Sequence, residues 1–368
     1  MKILSVEETP ALDLEAQVAP DAWLADQQLI IQRQQRLLDT HKRLSQQLSD
    51  LRAEYKEEIN YLVGGEKAAK YAGQYAEILG RIAEIPKKFP RTPGGEKDEA
   101  ELRARLKQEK HQFYHSLGFD TRRAVVVRKK YVERAKQILD RVREPDAQLP
   151  EGADTEAPKP TNNPWTWVFP PFAQGWTNIV ASNGSRGSRL RTVNASPTTG
   201  EIDLWSRQEL FGADDSDWSL IDIMAEVGFR YRMPAAGLVE VWIWYQDINT
   251  DYTGTLWDES GCSDAFIQQL SRAYIWTMGS TERYATVVDY QRGESEGSWA
   301  VGGPTSPGQI LSPVHLVSNK SYAAGDLVYI SVGAEDHNYF WTDDMSCRSI
   351  MTTKWFVNHL AVRSTGAP

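Results

Sequence analysis

Tryptophan and lysine divide this chain more sharply than any motif does. Twelve of its thirteen tryptophans follow residue 160, the exception being Trp23, while only Lys320 and Lys354 follow Lys159. Charge divides at the same place. Residues 1–160 hold 28 Lys and Arg against 27 Asp and Glu, and residues 161–368 hold 13 against 23, so the net charge of −9 arises in the second part. Between the two, residues 144–164 carry Pro145, Pro150, Pro158, Pro160 and Pro164 among acidic and small residues. Such a segment cannot bury a core and reads as an extended linker. With 368 residues, 41% of them hydrophobic, more than one core is expected. The expected order is a tail (1–19), a helical region (20–143), the linker (144–164) and a second domain (165–368).

The first part has a helical period. Ile30, Leu37, Leu44 and Leu51 recur every seven residues, with Leu48, Tyr55 and Leu62 at companion positions. This is a coiled-coil seam, and a helix from Asp21 to Leu62 would be about 60 Å long. Ile31 and Leu38 widen the stripe toward a bundle of several helices. Gly64-Gly65 marks its end, Pro86 ends a second helix, and Gly118 with Asp120 separates a third from a fourth. The fourth carries Val127, Tyr131, Ala135, Ile138 and Val142 on one side. The seam is longer than its neighbours can cover, so Ile30, Leu37, Leu44 and Leu51 are expected to contribute to self-association.

The second part changes to a period of two. From Ser219 to Met233 apolar Ile221, Ile223, Ala225, Val227, Phe229 and Tyr231 alternate with Asp222, Glu226, Arg230 and Arg232, as in a half-buried antiparallel strand. Residues 238–245, 284–290, 327–332 and 351–362 are further strands, separated by turn-forming clusters. The expected fold is therefore an elongated helical bundle followed by an antiparallel β-sandwich of jelly-roll type.

Several groups of residues invite a chemical reading. Along 238–245, Glu240, Trp242 and Trp244 share one face, and Val239, Val241, Ile243 and Tyr245 the other. Flat indoles beside a carboxylate suit a sugar platform, whereas large aromatics in general are packed, so both indoles are expected to be covered. Asp247, Asn249, Asp251 and Asp258 have the spacing of a calcium loop, but Tyr252 replaces the glycine its sharp turn needs. Glu335, Asp336, His337, Tyr339 and Trp341 read as an exposed recognition loop between late strands. Arg122, Arg123, Arg128, Lys129, Lys130 and Arg134 crowd one helix, and the acidity of the second part makes a docked acidic sandwich a better partner for them than nucleic acid.

Whole classes of function fall away. No apolar run approaches the ~18 residues of a membrane-spanning helix. Only Cys262 and Cys347 are present, too few for a disulfide framework or a zinc ribbon. A phosphate loop, a dinucleotide fingerprint, a nucleophile elbow and HExxH are absent, which argues against a nucleotide cofactor, and calcium is the one ion the spacing suggests. The first ten residues lack a secretory signal, so a cytoplasmic protein or one released with a particle is expected. Long helices before an aromatic sandwich give a layout similar to that of viral or phage surface proteins and some bacterial toxins, a likeness of architecture alone. The expected function is non-enzymatic: helices that self-associate or anchor, and a sandwich that binds a surface, a glycan, a cell-surface receptor or a neighbouring subunit. A membrane-active toxin is the alternative, and a carbohydrate-active enzyme comes third.

Overall fold

The structure, a computed structural model, describes residues 20–64, 121–143, 164–183, 188–210, 217–258, 264–278, 283–295, 299–304, 314–343 and 345–366, with isolated positions between 67 and 118. The linker at 144–163 and the tail at 1–19 lie outside the described residues. Helix α1 (Pro20–Val63) runs for 44 residues. Its buried side chains Leu44, Leu48, Leu51, Tyr55, Ile59 and Val63 recur at intervals of three and four and so make one apolar stripe. Gly64 ends it at a φ of 88°, a conformation that costs glycine nothing, and its N–H closes back on the Asn60 carbonyl at 3.0 Å.

Helix α2 (Thr121–Arg143) lays Ala124, Val127, Tyr131, Ala135 and Leu139 against that stripe. The pair is antiparallel, because Glu54 meets Arg134 at 2.6 Å while Glu58 meets Lys130 at 2.7 Å and Tyr131 at 2.9 Å. Two residues of the expected basic docking face, Lys130 and Arg134, thus pair with acids of α1. Running antiparallel to α1 sets Lys130 and Arg134 beside that helix's own acids. Arg128 is buried, with Nε donating to the Tyr55 hydroxyl at 3.3 Å, while Arg122, Arg123 and Lys129 face outward.

Among the described residues twelve strands follow: β1 (Thr166–Val168), β2 (Gln174–Asn183), β3 (Ser188–Ser196), β4 (Glu201–Leu210), β5 (Asp217–Arg232), β6 (Leu238–Asp258), β7 (Asp264–Thr277), β8 (Arg283–Ser295), β9 (Trp299–Pro304), β10 (Val314–Val317), β11 (Leu327–Asp343) and β12 (Met345–Thr365). They form two antiparallel sheets. The first has the order β10-β6-β12-β4-β3, with β1 beside β12 and β9 beside β6. The second has the order β2-β5-β11-β7-β8. The odd-numbered residues of β5 from Ile221 to Tyr231 meet Val239, Val241 and Ile243 of β6 and Trp355, Val357, Leu360 and Val362 of β12 in one core, so the sheets stack face to face.

The outer side of the five-stranded sheet is not open to water. Trp218 and Leu220 of β5, Phe266 of β7, and Tyr339 and Trp341 of β11 form a single cluster with the stripes of α1 and α2. Helices and sandwich thus share a core, and among the described residues α1 and α2 form an antiparallel pair lying on a sheet. Leu44 and Leu51 of the expected intermolecular seam are used up inside this chain. Ile30 and Leu37 lie in α1 with side chains outside the described ones.

Candidate functional site

Two chemically different surfaces stand on the outer sides of the two sheets. On the seven-stranded sheet, register aligns side chains in cross-strand rows. Ala361 of β12 pairs with Trp242 on one side and Trp167 on the other, and Trp242 pairs onward with His315. In the neighbouring rows Arg363 pairs with Glu240, and His359 with Trp244. Alternation along Trp165-Thr166-Trp167-Val168-Phe169 buries Val168 in the core and turns Trp167 and Phe169 outward, 40% and 56% exposed.

The rings touch one another across strands. Trp242 stacks on His315 at 4.3 Å between centroids, and Trp244 on His359 at 4.7 Å. Trp167 lies 5.5 Å from both Trp244 and His359, and Trp242 lies 6.4 Å from Trp244. Glu240 is buried beside this row, accepting from His315 Nε2 at 2.9 Å and from Arg363 Nε at 2.6 Å. The Arg363 guanidinium in turn lies over the Trp165 ring at 4.3 Å. Burial lowers the pKa of His359, so its ring stacks as neutral imidazole at neutral pH. The result is a strip of aromatic rings fixed by their neighbours. Trp242 and Trp244 are half-buried, in contact with one another and with His315, His359 and Trp167.

The five-stranded sheet presents ions where the other presents rings. His337 of β11 pairs in register with Asp222 of β5, and His41 of α1 reaches the same carboxylate. His41 Nδ1 donates to Asp222 Oδ2 at 2.5 Å, and His337 Nδ1 to Asp222 Oδ1 at 2.6 Å. The Tyr339 hydroxyl also donates to Asp222. His337 Nε2 donates to Glu335 at 3.1 Å, and Arg272 of β7 approaches Glu335 at 3.4 Å. Both nitrogens of His337 therefore face carboxylates and carry hydrogens. Burial opposes its charge, but the Glu335 carboxylate and the hydrogen bonds to Asp222 and Glu335 raise its pKa to about 9. Asp222 moves the other way: burial acts to raise its pKa, yet the hydrogen bonds and charges of His337 and His41 hold it below the ordinary carboxylate range.

A third polar group lies between the sheets. Asp336, on the inner side of β11, accepts from the Thr353 hydroxyl at 2.9 Å and is fully buried. Desolvation dominates there and raises its pKa to about 7. Asn338 continues this inner row, donating to Ser206 at 3.1 Å and accepting from Gln208 at 3.2 Å.

These positions redraw the sequence-predicted sites. Glu240, Trp242 and Trp244 do share the outer face of a strand. Glu335, Asp336, His337, Tyr339 and Trp341 were expected on an exposed loop, but all five are buried in β11, the central strand of its sheet. With a second sheet on one side and helices on the other, charged groups survive there because each finds a partner. Asp247, Asn249, Asp251 and Asp258 were expected to curl into a calcium loop. They belong instead to the strand β6, which puts Asp247 and Asp258 on the order of 35 Å apart along extended chain. Their side chains lie outside the described ones, and among the described residues no group of three His, Cys, Asp or Glu is placed to hold a metal. Sequence reasoning missed Trp165, Trp167, Phe169, His315, His359 and Arg363. Alternation in 165–169 was the available signal for the first three.

No family model and no curated protein match this chain. Among solved structures it is similar, at 11% identity, to TmCBM61 in complex with β-1,4-galactotriose, over 46% of this chain and 86% of that one, with a TM-score of 0.11. It is similar, also at 11% identity, to a family 11 carbohydrate-binding module from Clostridium thermocellum in complex with a β-1,3-1,4-mixed-linked tetrasaccharide, over 55% of this chain and 96% of that one, with a TM-score of 0.17. At these scores the likeness carries no weight for ligand or activity.

Proposed function

We propose that this protein is a non-enzymatic recognition protein that binds a glycan on the aromatic strip of the seven-stranded sheet. The observation that carries the proposal is the outward row of Trp167, Trp242 and Trp244, half-exposed on rigid strands and wedged by His315 and His359. Ring edges and faces of this kind offer CH groups of a saccharide a large contact at little entropic cost, because the side chains are already ordered. Glu240 serves as a positioning residue. Its oxygens are held by His315 and Arg363, so it fixes the ring that stacks on Trp242 and the guanidinium that covers Trp165. The strand path, which passes between the sheets after β1, β2, β4, β5, β6, β8, β10 and β11, supports a jelly-roll description.

The test is titration of the full chain with soluble β-linked oligosaccharides by calorimetry, after a glycan array has chosen them. Trp242→Ala and Trp167→Ala are each expected to weaken binding at least tenfold while leaving the circular dichroism spectrum unchanged. Binding that persists undiminished in the double variant would place the glycan elsewhere and end this reading.

A further inference from the structure

The outer side of the five-stranded sheet is built unlike a surface meant only to seat helices. At one end it is apolar, with Trp218, Leu220, Phe266 and Trp341 meeting the stripes of α1 and α2. From Asp222 onward it changes. Across β2, β5, β11 and β7 the rows become Val180, Asp222, His337 and Leu270, then Asn178, Met224, Glu335 and Arg272, then Trp176, Glu226, Gly333 and Tyr274, then Gln174, Gly228, Ser331 and Trp276. Tyr274 donates to Glu226 at 2.6 Å, and Trp276 packs edge-on to Tyr329 with centroids 6.0 Å apart. Gly228 leaves the room that the Tyr329 hydroxyl occupies: a Cβ there would stand 1.8 Å from it.

Aromatic rings interleaved with carboxylates, a guanidinium and amides are the groups that take up a ring bearing many hydroxyls. Away from the edge strand they are nevertheless buried, and they are incompletely served. Ser331 is fully buried with no partner for its hydroxyl, and the Asn178 amide nitrogen is buried without an acceptor. Nearby on the same outer side, Gln268 is fully buried with neither amide atom bonded. An interface evolved for helices alone would leave few such groups unsatisfied. On the helix side, the described contact with this polar zone is His41, one turn before the apolar stripe begins at Leu44.

We propose that this polar and aromatic zone, from Asp222 and His337 to Ser331 and Trp276, is a second saccharide-binding face, closed by the part of α1 that precedes Leu44 and bolted by His41 on Asp222. The later part of α1, from Leu44 to Val63, stays on the apolar end with α2 and acts as the hinge anchor. Trp176 and Gln174 on the edge strand β2 are only partly buried, and they form the rim at which a ligand enters. Closure and ligand exclude one another, so a saccharide bound here loosens the start of α1, and loosening α1 strengthens binding. This inference uses the ligand class of the proposed function but a different face, so each can fail alone.

The experiment uses the full chain in a Trp167→Ala, Trp242→Ala, Trp244→Ala background, in which the aromatic strip is disabled. Adding His41→Asp sets a carboxylate against Asp222. Hydrogen exchange is expected to accelerate in α1 before residue 41 while residues 48–63 remain protected. Calorimetry with a β-1,4-linked and a mixed-linked β-1,3-1,4 tetrasaccharide is expected to show at least a tenfold gain in affinity over the background protein. Opening of α1 without any gain in affinity overturns the proposal. Should His41→Asp disturb the fold, His41→Ala is used, and the background protein with its own His41 supplies an independent measure. A saturating tetrasaccharide must speed exchange in α1 before residue 41, and unchanged exchange at saturation likewise overturns the proposal. If the background protein and its His41 variants bind nothing while the intact strip does, the proposed function stands and this second face falls. Binding only after His41→Asp reverses that outcome.

Discussion

Asp222 and Glu240 occupy opposite outer faces of one sandwich, and each carboxylate lies between two cationic or potentially cationic side chains. Asp222 has His41 and His337, and Glu240 has His315 and Arg363. The two clamps differ in what water can reach. Every member of the Asp222 cluster is buried, whereas the His315 side chain is 38% exposed and Arg363 21%. A buried carboxylate without its partners is costly, and a buried pair without its carboxylate leaves charge behind. The same arrangement at a wet rim is screened and contributes little. Similar chemistry therefore fastens a helix on one side of the molecule and merely orients a ring on the other.

This contrast predicts a graded series. Asp222→Asn should destabilise the protein most, by about 3–5 kcal/mol in a denaturant titration at pH 7, because His337 and His41 stay buried beside a neutral amide. Its pH profile should change as well. Folding raises the His337 pKa to about 9, so the stability it contributes is full below about 6.5 and fades as pH climbs through about 9. Folding lowers the Asp222 pKa, so its contribution is present above about 4 and is lost as pH falls. Asp222→Asn should flatten the acid limb and shrink the alkaline one.

Asp336→Asn comes next and has the opposite sign. Burial raises the pKa of Asp336 to about 7. The native state thus favours the protonated acid, and stability falls as pH rises from about 4 to about 7. The amide carries no charge to desolvate. The variant should gain roughly 1–3 kcal/mol over the parent at pH 8 and little at pH 4, an order-of-magnitude figure from the pKa scale. Equal behaviour at both pH values would show that water or ions reach this inner row.

Glu240→Gln should have the smallest effect on stability, about 1 kcal/mol or less, while weakening oligosaccharide binding through a looser His315 and Arg363. A stability loss matching that of Asp222→Asn would erase the distinction between the faces.

Much of this frame was legible in the sequence because it is periodic. The stripe from Leu44 to Val63, the Gly64 cap and the alternation of β5 need only local spacing to be read. What remained hidden depends on partners. The run Glu335-Asp336-His337-Asn338 resembles a loop because central strands are rarely so charged, and only cover on both sides and cross-strand pairing make it a strand. His41 stands at a stripe position, but nothing local says that its partner is Asp222, 181 residues away. The aromatic strip is a similar case. Trp242 and Trp244 were visible as a pair, while His315, His359 and Trp167 join them only through register.

The lengths of β6 and β12, 21 residues each, bear on how the molecule is made. In the seven-stranded sheet β12 lies between β6 and β4 and also pairs with β1, so it joins strands separated from it by much of the chain. At ~5–20 residues per second, roughly seven to thirty seconds of synthesis separate β4 from β12. During that interval the edge of β4 that β12 will fill has no strand of its own sheet to close it, a template on which other chains can add. Asp203, Arg207 and Glu209 punctuate β4 at alternate positions, and Lys354 and Arg348 of β12 later pair with Glu201 and Glu209 of that strand. The charges that end as cross-strand pairs can therefore first serve as guards against aggregation on the nascent chain.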